Sequence, residues 1–359
     1  MKVAFVYAGG RHLRGTDGPS DFFYGANELG SLTGWSANCL EVDSDPADPL
    51  TGLIAGRLFG KFVPPRTSAD WIARTRRLLP SLKEYDLVVA TATEVSLGLA
   101  FWKKMGFLRQ PLVGLTLGAV SFPIGSELRR TISASLFARM HGVLFAASER
   151  KEILKRFELE DERLEVGWFG VDEKFWVPPQ AGKTRSGILS VGNDGRRDYD
   201  CLVYAAKMMP EHEFKILTRF EAPDHLPGNV RWHCKNSPEK YLSLKDLLPL
   251  YQSSQCVVLP LKESIQPSGQ SVAMQAMMCG APVVITKTEG WWGGKVIRDR
   301  KEVALVSSGN AEELAVAIRA TISPVSVIAG REALLGAKWT ARGFAERLTV
   351  VIERAASSA

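Results

Sequence analysis

Short apolar runs alternate with amphipathic stretches along the chain. In the first half, residues 3–8, 39–42, 87–90, 111–117 and 142–146 read as strands, most of them bounded by Gly, Pro or charged residues. Between them, residues 21–29, 94–105, 132–140 and 149–157 have the spacing of helices. The second half restarts the alternation, with strands at 187–191, 213–217, 256–259 and 283–286. Helices are expected there at 199–209, 241–252 and 311–322, and a short one before residue 280. In the last stretch, 339–354, Phe344, Leu348, Val351 and Ile352 fall on one helical stripe. Such alternation requires crossover connections and predicts an α/β fold with mostly parallel, doubly wound sheets.

A chain of 359 residues exceeds the usual size of a single core, so two domains are expected. The run Trp176-Val177-Pro178-Pro179-Gln180-Ala181-Gly182-Lys183 reads as a linker. The expected division is 1–175, a linker over 176–186, a second domain over 187–337 and a closing helix over 338–359. The five cysteines have no metal-ligand spacing and suit buried thiols of a reducing compartment. No apolar run approaches the roughly 18 residues of a membrane span. The opening residues read as a first strand rather than a signal segment, and the expectation is a cytoplasmic protein.

A net charge of +6 favours anionic partners. Nucleic acid is not among those expected, because zinc-finger spacing, an RNA-binding aromatic signature and long Lys/Arg blocks are all missing from the sequence. Residues 53–66 and Phe101-Trp102-Lys103-Lys104 mix apolar and basic positions. That mixture suits a helix with one buried side and snorkelling cations, or peripheral contact with an anionic membrane.

Three places carry candidate chemistry. Ser268, Gly269, Gln270 and Ser271 precede the apolar helix that Gly280 and Pro282 close, and the open N-terminus of a helix attracts phosphate. The loop Gly192-Asn193-Asp194-Gly195-Arg196-Arg197 follows a strand. Gly allows close backbone approach there, and either guanidinium can grip phosphate oxygens in bidentate fashion. The third group follows the first-domain strands, where ligands of doubly wound sheets sit: Gly9, Gly10, His12, Asp17 and Asp21 after the first strand, and Glu94 after residues 87–90. Asp21 is either a helix cap or a base for an acceptor hydroxyl.

The run Gln275-Ala276-Met277-Met278-Cys279-Gly280-Ala281-Pro282-Val283-Val284 resembles the donor-site signature of glycosyltransferase family 4, enzymes of the GT-B fold. The family pattern is Glu-x7-Glu-Ala-Met-Ala-x-Gly-x-Pro-Val-Val. Its second half matches closely, while Pro267 and Gln275 stand where the two glutamates belong, and Glu263 is the nearest upstream carboxylate. The stretch from Ala147-Ser148-Glu149 to Gly170-Val171-Asp172 and Phe175 resembles the family's domain junction.

The resemblance implies two Rossmann-like domains facing across a cleft, with a C-terminal helix returning to the first. It implies a transferase moving a sugar from a UDP- or GDP-linked donor to a hydroxyl of a glycan, a lipid-linked glycan or a small molecule, with retention and with neither metal nor further cofactor. The donor would be held by Gly192, Arg196 or Arg197, Glu263, Ser268, Gly269, Gln270, Ser271 and Gln275. The acceptor side would hold Gly9, Gly10, His12, Asp17 and Glu94, with Asp21 as base. The departures at Pro267 and Gln275 leave two alternatives open: a nucleotide-sugar epimerase of the same fold, or a sugar-nucleotide-binding partner protein without catalysis.

Overall fold

The computed structural model describes residues 1–9, 18–42, 69–119, 125–234, 243–323 and 329–358. Gly10, His12, Asp17 and the basic stretch at 53–66 lie outside the described residues. The chain divides into two compact units, Met1–Gly170 with Ala341–Ala359, and Val171–Thr340.

Unit 1 is built on a six-stranded sheet of β1 (Lys2–Tyr7), β2 (Ser36–Glu41), β3 (Leu87–Ala90), β4 (Leu112–Thr116), β5 (His141–Leu144) and β6 (Leu164–Val166). Their order is β2-β1-β3-β4-β5-β6, and every pair is parallel. All residues of β3 and β4 are buried, as expected for strands covered on both faces. The connecting helices are α1 (Ala26–Thr33), α2 (Ala69–Arg76), α3 (Thr93–Lys104), α4 (Glu127–Phe137) and α5 (Ala147–Phe157).

Unit 2 repeats the plan with β7 (Ile188–Val191), β8 (Phe214–Thr218), β9 (Val230–Cys234), β10 (Cys256–Leu259), β11 (Val283–Thr286) and β12 (Ala304–Val306). The order is β12-β11-β10-β7-β8-β9, again parallel throughout. Its helices are α6 (Tyr199–Lys207), α7 (Leu244–Ser253), α8 (Gln270–Met278), α9 (Ala311–Ile322) and α10 (Gly330–Gly336). The last helix, α11 (Ala341–Ser357), belongs to unit 1. Its Phe344, Leu348, Val351 and Ile352 join the core made by Val3, Phe5, Leu87, Val113 and Val143, so the expected closing helix packs where the resemblance put it.

Two local readings change. The helix expected over 21–29 is broken: a 3-10 turn covers Asp21–Phe23, Tyr24 and Gly25 adopt positive φ, and α1 begins at Ala26. A Cβ at Gly25 would stand 3.0 Å from the Ala345 Cα, so close passage of α11 requires the break. Trp176, read as the start of a linker, is fully buried in unit 2 against Phe175 and Tyr251.

Candidate functional site

In unit 2 the chain leaves β7 toward β8 and β9, then returns to add β10, β11 and β12 on the other side. The strand order therefore reverses between β7 and β10, and a crevice opens outside their carboxyl ends. The two loops that border it are tied together. The Asp198 N–H donates to the Pro260 carbonyl at 3.0 Å, the Lys262 N–H donates to the Arg196 carbonyl at 2.8 Å, and Arg197 pairs with Leu261.

This framing separates the two arginines. Arg196 is half-buried, and its backbone N–H is occupied by the Asp194 carboxylate at 2.9 Å. Arg197 is only 5% exposed. Its guanidinium lies across Gly192, where an added Cβ would fall 1.9 Å from Nε, and reaches Gly269, whose Cβ would stand 3.1 Å from Nη1. Asp194 is 3.6 Å from Nη2, while Nε and Nη1 have no hydrogen-bond partner among the described residues. The floor is set by Tyr199, whose hydroxyl donates to the Gly192 carbonyl at 2.7 Å and whose ring stands edge-on to Trp232. Burial raises the pKa of that hydroxyl, with the Arg197 charge acting in the opposite sense.

The second loop ends at Gly269, which caps α8 with φ +75° and gives it no side-chain cap. The first-turn N–H groups of α8 thus start beside the Arg197 guanidinium, so two sources of positive potential meet. Ser268 and Gln270 are buried, and neither Ser268 Oγ nor Gln270 Nε2 has a hydrogen-bond partner among the described residues. Ser271 is half-buried on the first turn. Gln275 is 2% exposed, and its Oε1 accepts from the Tyr251 hydroxyl at 3.5 Å. Glu263 is exposed and acts as a brace: its Oε1 accepts from the N–H groups of Ser264 at 3.1 Å and Glu289 at 2.7 Å.

A third loop, after β11, was not singled out from sequence. Gly290 donates to the Ser264 carbonyl at 2.7 Å, and an added Cβ there would lie 2.4 Å from the Gln266 carbonyl oxygen. The loop carries Trp291, its ring centroid 5.1 Å from that of buried Trp292 with the rings tilted at 34°; the Trp292 Nε1 is also without a partner among the described residues. The available signal was a Trp-Trp-Gly-Gly run just past a fully buried strand. Among the described residues of unit 2, every buried side-chain polar atom without a hydrogen bond belongs to Arg197, Ser268, Gln270 or Trp292. Each can donate a hydrogen bond, and leaving such groups unpaired and dry costs about 1–3 kcal/mol apiece. The arrangement is suited to a ligand rich in acceptor oxygens.

Unit 1 has its own reversal, between β1 and β3. Gly9, with φ +61°, and half-buried Glu94, in the first turn of α3, stand at the carboxyl ends of these two strands. Asp21 is 1% exposed and opens the 3-10 turn; Ser20, not Asp21, holds the cap position.

Residues 222–323 match the family model of the group 1 glycosyl transferases, a span that includes the Ser268–Ser271 loop, α8 and Trp292. Comparison with curated proteins gives no match. Solved structures match over the whole chain. Alr3699/HepE of Anabaena, in complex with UDP and glucose, is 14% identical at TM-score 0.69, covering 99% of this chain and 100% of that one. The catalytic domain of starch synthase IV from Arabidopsis thaliana, bound to ADP and acarbose, is 10% identical at TM-score 0.66, with 99% of both chains covered. The α,α-trehalose 6-phosphate synthase of Burkholderia multivorans is 11% identical at TM-score 0.67, covering 100% of this chain and 99% of that one. The fold is GT-B, and the match to the group 1 glycosyl transferase model is confined to residues 222–323 of unit 2.

Proposed function

We propose that the protein transfers a sugar from a nucleoside-diphosphate sugar, UDP- or GDP-linked, to a hydroxyl of a glycan, a lipid-linked glycan or a small molecule. The observation that carries this reading is the group of unpartnered donors on the loops at the unit 2 reversal, Arg197, Ser268 and Gln270, with Trp292 on the next loop after β11. A diphosphate offers acceptor oxygens and negative charge, and the Arg197 guanidinium beside the open end of α8 supplies fixed positive charge. When the glycosidic bond to the donor breaks, charge grows on the departing diphosphate. Groups already oriented toward it stabilise that charge without reorganising. Because these groups carry the positive potential themselves, the reading includes no metal. Retention of anomeric configuration is the outcome carried by the family resemblance. The similar HepE structures with UDP-glucose and with UDP and glucose support a nucleotide sugar as the ligand. Gly9, Asp21 and Glu94 are the acceptor-side groups within the described residues, with Asp21 the proposed base. Membrane contact through unit 1 would admit lipid-linked acceptors, and the free state of all five cysteines fits a cytoplasmic, reducing setting.

Thermal unfolding against UDP, GDP, ADP, TDP and their sugar conjugates tests this. A ligand at a hundred times its dissociation constant stabilises by about 2.7 kcal/mol, a shift of a few degrees at this size. The expected result is selective stabilisation by one nucleotide series, lost in Arg197→Ala. No shift from any of them at millimolar concentration overturns the reading. Conversion of the nucleotide sugar without acceptor would replace it with epimerisation.

A further inference from the structure

The helices α2, α3 and α4 each run back toward the amino end of the strand that follows them, so their C-termini gather at the amino edge of the unit 1 sheet. The turn after α3 presents Met105 at 52% and Phe107 at 61% exposure. It is a built turn. Gly106 between them adopts φ +81°, the Phe107 N–H donates to the Trp102 carbonyl at 2.9 Å, and the Trp102 indole donates to the Ile72 carbonyl at 2.9 Å. Phe107 stands edge-on to Trp102 at 5.6 Å, and the next residue, Leu108, is buried. The two apolar side chains are thus held outward by anchors on either side.

Four cations frame this tip. Lys103 Nζ donates to the carbonyls of Arg109 and Gln110, and Lys104 Nζ donates to Ser135 Oγ at 2.6 Å. Arg109 and Arg139 are exposed. Among the described residues none of the four is paired with a carboxylate, and Arg139 lies close enough to Lys103, with burial acting first, to lower its ammonium pKa. Neutral acceptors hold the lysines in place without cancelling their charge. The cluster is not part of the donor site, which belongs to unit 2.

We propose that this turn docks unit 1 on an anionic lipid bilayer, with Met105 and Phe107 entering the headgroup layer and Lys103, Lys104, Arg109 and Arg139 meeting lipid phosphates. Charge complementarity sets the sign of the surface, and the apolar tip chooses a bilayer over a soluble acidic polymer, which would leave both side chains in water. Gly9 and Glu94 stand at the opposite, carboxyl edge of the same sheet, a strand length of about 15 Å away. If the transferase reading holds, on which this step rests, the acceptor hydroxyl is therefore remote from the headgroups, as at the tip of a lipid-linked chain of several sugars.

Co-sedimentation with vesicles tests the docking, using phosphatidylcholine alone and phosphatidylcholine mixed with phosphatidylglycerol in about equal parts. The protein should pellet with the anionic vesicles and stay in solution with the neutral ones. The triple variant Lys104→Glu/Arg109→Glu/Arg139→Glu should lose at least about tenfold in binding. Met105→Ser/Phe107→Ser, a change of exposed side chains whose folding is checked by its unfolding temperature, should bind several-fold less. An absence of anionic-vesicle binding by the unaltered protein overturns the proposal, as does unchanged binding by both variants. Capture by immobilised polyphosphate without vesicle binding assigns the patch to a soluble polyanion instead. Nucleotide stabilisation should be the same in both variants, so failure of the docking and failure of the donor reading give different results.

Discussion

The two units place a crevice at the same point of the same architecture, yet their chemistry differs. In unit 1 the loops that follow β3 and β4 close on themselves. Thr91 Oγ donates to the Val6 carbonyl, Thr93 Oγ donates to the Leu117 carbonyl and accepts from the Leu117 N–H, and the Gly118 N–H donates to the buried Glu149 carboxylate. In unit 2 the corresponding loops hold a buried guanidinium, a hydroxyl, a carboxamide and an indole with donor atoms left over. Topology alone provides a crevice. At the end of β4 the Thr116 hydroxyl is also without a partner among the described residues, so what distinguishes the unit 2 crevice is a buried guanidinium with donor atoms left over beside an open helix end.

The strongest way to break this comparison is Arg197→Ala. Removing the charge that meets the departing diphosphate should cost on the order of a hundredfold or more in transfer rate and abolish nucleotide stabilisation. Thr93→Ala in unit 1 should leave that stabilisation untouched, as read by the same unfolding assay. Gly192→Ala comes next. Its Cβ has no room beside the guanidinium, so a loss of about 1–3 kcal/mol is expected, and nucleotide binding should weaken more than a calorimetric stability difference alone explains. Tyr199→Phe removes only the hydroxyl beneath Gly192. At about 1 kcal/mol, or fivefold in Kd, titration calorimetry should show weaker diphosphate binding with nucleoside binding unchanged. Arg196→Ala should change Kd by no more than about twofold, since the loop tie uses its backbone carbonyl rather than its side chain. Chelation by EDTA, the smallest effect, should leave nucleotide binding and transfer as they were.

The central strands were legible because both faces are covered, which writes a continuous apolar run into the sequence. The edges were not. β9 alternates buried and exposed positions, and β6 and β12 have three residues each, too few to stand out. The interruption at Gly25 is set by Ala345, more than three hundred positions away, so no local pattern announces it. At the site, Ser268, Gly269 and the paired arginines were visible as a loop and a helix start. Which guanidinium turns inward depends on the antiparallel pairing of Arg197 with Leu261, a tertiary fact. Tyr199 and Trp292 enter the site only once their polar atoms are traced.

The placement of α11 also orders events during synthesis. Unit 2 is one uninterrupted segment, so all it needs is present as soon as Thr340 has left the ribosome. Unit 1 begins first but lacks Phe344, Leu348, Val351 and Ile352 until unit 2 has been made. Its sheet must wait with one face only partly covered, by α1, while the whole of unit 2 is made. The half that starts first is completed last, and a ribosome stalled near residue 340 would release a finished second unit tethered to an open first one.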